Sequence, residues 1–333
     1  MWSMESALVS GESPFLPTGT FVFSLDFELA WGTRGRPSAI AVQPDLDGTR
    51  VAIDGLLQLL AKYEISATWA SVGGMFLGGE TRHRWIATEE FKDIPEGDFK
   101  SQPRWYAEDI LEQIVRTTPA QEIGLHTLTH MFVQDTMASR DQFDWELSCQ
   151  IEQLAEMGLP VPRSFIFPKH YMAHFDLLAK HGIACFRGPE NGWFEHLPGT
   201  VAPAIGRLFW GKLRGCPVVR SPQLTHTGLW MIPSSQYYPP FRSVGKYLSV
   251  ADRVAKAKKG LRLASKNKGV FHLWTHPFNL GSRTDELLSG LDSIFEYAAG
   301  LRDHGHLDNR TMGQLAEDLS KFGYERKSDD KAF

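Results

Sequence analysis

Cysteine is scarce in this chain: Cys149, Cys185 and Cys216 are the only three in 333 residues. An odd, widely spaced set excludes a disulfide framework and a zinc knuckle, and it fits a reducing compartment. Long apolar runs are missing too. Met1 to Thr18 holds Glu5 and Glu12 with no basic stretch and no apolar run, so neither a signal peptide nor a membrane anchor is expected, nor any integral membrane segment. These absences together predict a cytoplasmic protein. Positive charge is not in excess either, since the formal net charge is -4, and no general attraction to nucleic acid or anionic membrane follows. The basic stretch Arg253 to Lys268 carries Val254, Leu261 and Leu263 at helical spacing and reads as a solvated helix face. There is no internal repeat and no linker rich enough to divide the chain.

What is present is the composition of a soluble globular protein, with 42% hydrophobic and 22% charged residues. That suffices for a large core in one barrel-sized domain or two small ones. Apolar runs predict strands at 20–26, 65–72, 122–125, 164–167, 183–186, 228–233 and 269–274. Helices are predicted from Asp45 or Asp47, as caps, to about Tyr63, then at 105–117, 138–157, 173–181, 247–266, 284–302 and 312–322. Alternating strands and helices imply a parallel α/β architecture. One domain over 18–323 is expected, after an N-terminal extension at 1–17 and before a charged tail at 324–333. Two excursions, 73–103 and 190–227, are long enough to shape function.

Asp26 and Glu28 end the first strand, in Thr20-Phe-Val-Phe-Ser-Leu-Asp26-Phe-Glu28. Strand side chains alternate, so the two acids project together and Phe27 points away. His126-Thr-Leu-Thr-His130 ends another strand. Sites in parallel sheets and barrels form at the C-terminal strand ends, where Asp26, Glu28, His126, Pro168 and His276 all fall. Two carboxylates and two histidines there make a candidate site for a divalent metal and a catalytic base. With 12 histidines, roughly 0.4 pairs spaced four apart arise by chance, and this chain has three. His170/His174 opens a helix and suits a structural or rim role. His272/His276 brackets Leu-Trp-Thr before Pro277, with His276 nearer the strand end as the candidate acid.

These residues resemble the polysaccharide deacetylase superfamily, whose shared unit is the NodB homology domain, over roughly residues 18 to 300. Ser24-Leu-Asp26-Phe-Glu28 is similar to the first motif, Thr-Phe-Asp-Asp-Gly. His126-Thr-Leu-Thr-His130 matches the second, His-Ser/Thr-x-x-His, and Trp274-Thr-His276 is similar to the late Leu-x-His. Asp26-Phe-Glu-Leu-Ala-Trp-Gly32 and His272-Leu-Trp-Thr-His-Pro277 further resemble a bacterial branch associated with surface-polysaccharide biosynthesis. The resemblance implies a distorted (β/α)7 barrel and metal-dependent hydrolysis of N- or O-acetyl groups. The substrate would be an acetylated sugar, nucleotide sugar, lipid-linked sugar or oligosaccharide precursor. It implies Asp26 as base, Glu28, His126 and His130 around one divalent ion, zinc first among the choices, and His276 as acid. The two carboxylates are also open to exchanging roles.

The pattern departs from the family in places. The metal carboxylate is Glu and is displaced by one residue. Ile166 stands where Arg-x-Pro-Tyr would supply the arginine that orients the base, which leaves Lys169 as a stand-in. The fourth motif has no clear match, with Glu190 beside Trp193 its one candidate. Arg187 is open to binding substrate or to forming an ion pair. Trp31, Trp193 and Trp274 are candidates to stack on a sugar or to sit in the core. Ser234 and Ser235 are candidates to line the pocket. Two rival readings stand beside the deacetylase: a metal-independent cyclic amidase of the allantoinase-like branch, and a degenerate barrel that binds sugar or a partner without turnover.

Overall fold

The computed structural model describes residues 16–35, 37–79, 91, 93–190 and 217–329. Most of the extension at 1–17, residues 80–90 of the first excursion, 191–216 of the second with Trp193 and Cys216, and the end of the tail lie outside the described residues. Ten strands occur among the described residues: β1 (Gly19–Phe27), β2 (Thr68–Ser71), β3 (Glu122–Leu125), β4 (Ser164–Phe165), β5 (Cys185–Gly188), β6 (Gln223–Leu224), β7 (Trp230–Pro233), β8 (Gln236–Tyr237), β9 (Val270–Thr275) and β10 (Leu307–Asn309). The helices are α1 (Gln43–Lys62), α2 (Glu108–Arg116), α3 (Met137–Glu156), α4 (Phe175–Lys180), α5 (Val250–Asn267), α6 (Thr284–Asp303) and α7 (Met312–Asp329).

The seven strands expected from the sequence form one parallel sheet in the order β7-β5-β4-β3-β2-β1-β9. First and last of these strands, β1 and β9, are neighbours, so the seam falls between β7 and β9. Small pieces cross it: an antiparallel bridge from Arg220 to Val270, the short β8 beside β9, and Ser235 N–H donating to His272 O at 2.9 Å. The result is the distorted (β/α)7 barrel of the NodB type.

Alternation on β1 sorts the core into two sides. Phe21, Phe23, Leu25 and Phe27 pack outward against α1, α5 and α6, each fully buried and each contributing about 1.5–3 kcal/mol by burial. Val22, Ser24 and Asp26 face the barrel interior. Val22, Cys185 and Val270 meet Met312, Leu315, Ala316 and Leu319 of α7, which fill the end where the strands begin. The interior then turns polar toward the strands' C-terminal ends.

Several local expectations need correction. Neither Asp45 nor Asp47 caps α1. The helix begins at Gln43 with Val42 as its cap residue and Pro44 in the first turn, a position where a missing N–H costs nothing. β4 stops at Phe165 because Pro168 ends the extended run. α7 runs to Asp329, into the expected tail. β6, β8 and β10 have two or three residues each, too few for a periodic signal.

Candidate active site

β1 ends at Phe27, and Glu28 starts a tight turn, Leu29–Thr33. The Glu28 carboxylate lies directly over Gly32, where any Cβ would collide with it, so the glycine makes room for the acid. His126 follows β3, and His130 closes the turn after it. Thr127 (φ 62°) and His130 (φ 63°) both take left-handed backbone, which strains residues with a Cβ. Glu146 of α3, fully buried, holds that turn: its carboxylate accepts from Leu128 N–H (2.9 Å), Thr129 N–H (3.1 Å) and the Thr129 hydroxyl (2.5 Å).

The three expected ligands converge. Glu28, His126 and His130 are buried, each with a donor atom within 4.8 Å of the others. His130 Nε2 lies 2.8 Å and His126 Nε2 3.3 Å from Glu28 Oε2. His126 Nδ1 is 2.7 Å from the Ile166 carbonyl oxygen. A carbonyl only accepts, so Nδ1 carries a proton and Nε2 is the atom turned to Glu28, the one through which a metal-ligating imidazole would bind. Burial opposes ionisation of Glu28, but His130, His276 and His126 outweigh it and hold the carboxyl well below its ordinary value. This buried Glu/His/His group fits a divalent ion in donor chemistry and in tautomer.

Asp26 meets Arg187 of β5 in a two-pronged pair, NH1 to Oδ1 at 2.5 Å and NH2 to Oδ2 at 2.7 Å. Burial would raise the Asp26 carboxyl, yet Arg187, aided by His276 and His126, lowers it to about 2. Thus Arg187 stands against the Asp26 carboxylate, and Lys169 does not: it is exposed, with Nζ 4.4 Å from the Phe132 ring centre. The arginine beside Asp26 comes from β5, next to β4, which ends before Ile166.

His276 follows β9, with Nε2 3.7 Å from Asp26 Oδ2 and 3.6 Å from Glu28 Oε1. Its Nδ1 lies 3.1 Å from Asn279 Nδ2. Asn279 is buried, and Arg242, itself paired with Asp45, donates to Asn279 Oδ1. Arginine has no acceptor, so the amide oxygen must face Arg242 and the NH2 must face His276 and the Tyr237 hydroxyl (2.5 Å). Nδ1 therefore accepts, and the imidazole proton sits on Nε2, toward the two carboxylates. Glu190 is not part of this arrangement. It accepts from Tyr237 N–H (3.0 Å) and lies 3.6 Å from Lys256 Nζ.

Other expectations divide. Trp31 is a core residue, 2% exposed, with its indole N–H donating to Trp105 O (3.0 Å) and its ring packed against Phe91 and Trp105; it has no face for a sugar. Trp274 is half-buried, and its ring is engaged by Arg187 (4.2 Å) and Tyr237 (4.5 Å). His170 packs edge-on to Trp274, and His174 Nε2 bonds Gln134 O at 2.8 Å, both rim positions. Ser234 and Ser235 are buried strand ties: Ser234 Oγ donates to Gly188 O (2.7 Å), and Ser235 Oγ faces Val270 O (3.4 Å). Sequence reasoning missed Glu146, Asn279, Arg242 and Tyr237. It also missed Tyr171, 51% exposed and stacked on Phe132, which in turn packs edge-on against His130.

No protein-family model and no curated protein matches the chain by sequence. Solved structures do. A candidate polysaccharide deacetylase from Mycobacterium smegmatis superposes with a TM-score of 0.57 at 18% identity, covering 95% of this chain and 94% of that one. The chain has the polysaccharide deacetylase fold. A second candidate polysaccharide deacetylase, from Pseudomonas aeruginosa PAO1, aligns at a TM-score of 0.53, 11% identity, and 92% and 90% coverage. The allantoinase PuuE is similar to the same extent, with a TM-score of 0.55, 13% identity, and 90% and 88% coverage.

Proposed function

We propose that this chain is a member of the polysaccharide deacetylase superfamily: a metal-dependent hydrolase that removes acetyl groups from a carbohydrate. One observation carries the reading. A buried Glu/His/His donor set, an arginine-paired carboxylate and a proton-bearing imidazole nitrogen meet at the C-terminal mouth of one barrel. That is the equipment for hydrolysing an amide or ester.

Glu28, His126 and His130 would hold the ion, with zinc the choice that two imidazoles and a carboxylate favour. When bound, the ion supplies Lewis acidity for the acetyl carbonyl and its attacking water. Asp26, ionised and oriented by Arg187, takes the proton of that water. His276 directs its Nε2–H at the leaving oxygen or nitrogen as a hydrogen-bond donor, Asn279 keeps that proton on Nε2, and the proton that Asp26 has taken from the water passes to the leaving atom. Tyr171, stacked on Phe132 beside His130, offers an exposed ring for a neighbouring sugar. The single domain of 18–323 carries all of these groups. The substrate class is an acetylated sugar, nucleotide sugar or oligosaccharide precursor, and the scarce cysteines support a cytoplasmic reaction, as in surface-polysaccharide assembly. No helix among the described residues is long and apolar enough to cross a membrane.

The test is metal content of protein prepared without chelator, beside Glu28→Ala and His130→Ala, with acetate release from acetylated oligosaccharides measured on the same samples. The expected outcome is about one divalent ion per chain, lost in both variants together with acetate release. Ring-amide hydrolysis by protein that takes up no ion would instead support the cyclic amidase, whose fold the allantoinase shares. Metal or sugar binding with no turnover would support the degenerate barrel.

A further inference from the structure

We propose that Ser24 and His272 are positioning residues that hold Arg187 against Asp26, a role resting on the function proposed above. His272 is the member of the His272/His276 pair that the mechanism leaves unused, and it is fully buried. Ser24, Arg187 and His272 come from β1, β5 and β9. They form one interior layer, above the apolar Val22, Cys185 and Val270 and below the mouth.

The direction of each hydrogen bond follows from Arg187. A guanidinium has donors and no acceptor, so Ser24 Oγ accepts from Arg187 NH1, at 3.2 Å. The serine's own proton must then go elsewhere, and His272 Nε2 lies 2.8 Å away. Nε2 therefore accepts, and His272 is neutral with its proton on Nδ1. Burial and the nearby Arg187 push this imidazole down to about 3, in keeping with that assignment. The His272 backbone is tied to the neighbouring strand end: its N–H donates to Ser235 Oγ (3.0 Å), and its carbonyl accepts from Ser235 N–H (2.9 Å).

The layer matters because Arg187 arrives from the wrong strand for the family pattern. A long, buried side chain spans the interior and must present two donors to Asp26 at once, and an anchored third contact narrows its rotamers to the one that does so. Trp274 covers the guanidinium at 4.2 Å, and Ser24 fixes it within its plane. An apolar pair at 24 and 272 would fill the layer without the desolvation cost of buried polar groups. Keeping both is explained by a job done on Arg187.

The experiment compares Ser24→Ala, Ser24→Thr, His272→Phe and the Ser24→Ala/His272→Phe double variant. One readout is kcat and KM for acetate release from acetylated oligosaccharide, and the other is the Arg187 side-chain nitrogen resonances in 15N-labelled protein. Ser24→Ala and His272→Phe are expected to lower kcat about tenfold with KM and metal content unchanged. The double variant should lose no more than either single one, and Ser24→Thr should restore kcat. The Arg187 Nη signals should be distinct in the wild type and merged in both single variants. Wild-type kcat and distinct Nη signals in Ser24→Ala would overturn the proposal, as would a folded Ser24→Thr that fails to restore them. Should the wild type release no acetate, the functional reading falls, and the Arg187 resonances still decide whether Ser24 and His272 hold the guanidinium.

Discussion

The two nitrogens of His276 are distinguished by Asn279, and in the proposed function that distinction is what would let the ring point Nε2–H at the reacting group. Asp45, Arg242 and Asn279 form a chain whose polarity is set at its start, since a carboxylate accepts, a guanidinium donates and the amide must then turn its NH2 to His276. Asn279→Leu keeps the branched shape and removes all three side-chain hydrogen bonds, to Arg242, His276 and Tyr237. Its kcat for acetate release should fall about tenfold while bound metal stays at the wild-type level; an unchanged kcat would show that the tautomer is set by something else. The residues legible in the sequence were those whose chemistry is packed into a short word, such as Asp26 with Glu28, or His126 with His130. Arg187 was visible only as an ambiguous charge, because its partner lies 161 residues away. Asn279 was missed although it sits three residues after His276, since an amide after a proline carries no signal until a guanidinium fixes its orientation.

Helix α3 shows how an element can serve two masters. Phe143, Leu147 and Leu154 pack into the core beneath β3 to β5, while Glu146, Gln150 and Gln153 are buried polar residues at helical spacing on another face. Gln150 donates to Ser71 O (2.6 Å) and Gln153 to Gly73 O (3.1 Å), so the helix fixes the loop after β2 as well as the His126–His130 turn after β3. Glu146→Ala removes three hydrogen bonds from a turn with two left-handed residues. Metal affinity should fall about 10–100-fold, measured by competition with a chromogenic chelator. Wild-type affinity in this variant would mean that the turn is held by the ligands alone. The helix itself was readable from its apolar spacing, and so were the other six. The polar stripe was present in the same residues but went unused, because an exposed face and a buried polar face look alike until the neighbouring loop ends are in place.

At the scale of the whole barrel, the interior is apolar where the strands begin and polar where they end, and two histidines are kept neutral there, His272 within the polar layer and His170 at its rim. Burial, then Arg187, lowers His272 from its ordinary 6.5 to about 3, and the same two causes lower His170 to about 4. In the unfolded chain both would take up a proton near 6.5. Between that pH and about 4 the unfolded state binds more protons than the folded one, so stability rises with pH across the window and is lost as pH falls through it. The Asp26–Arg187 pair acts in the same direction lower down, between the ordinary 3.8 of an aspartate and about 2. Acid lability of the metal-free protein should therefore begin below about pH 6.5, well above the carboxylate range. Urea midpoints taken on chelator-treated protein from neutral pH down to about 4 should fall steadily, and His170→Gln should make that fall shallower, since a glutamine has no proton to gain. A midpoint that stays level down to about pH 4 would mean that the folded barrel accommodates charged His170, and with it that the space beside Trp274 is wetter than its packing implies.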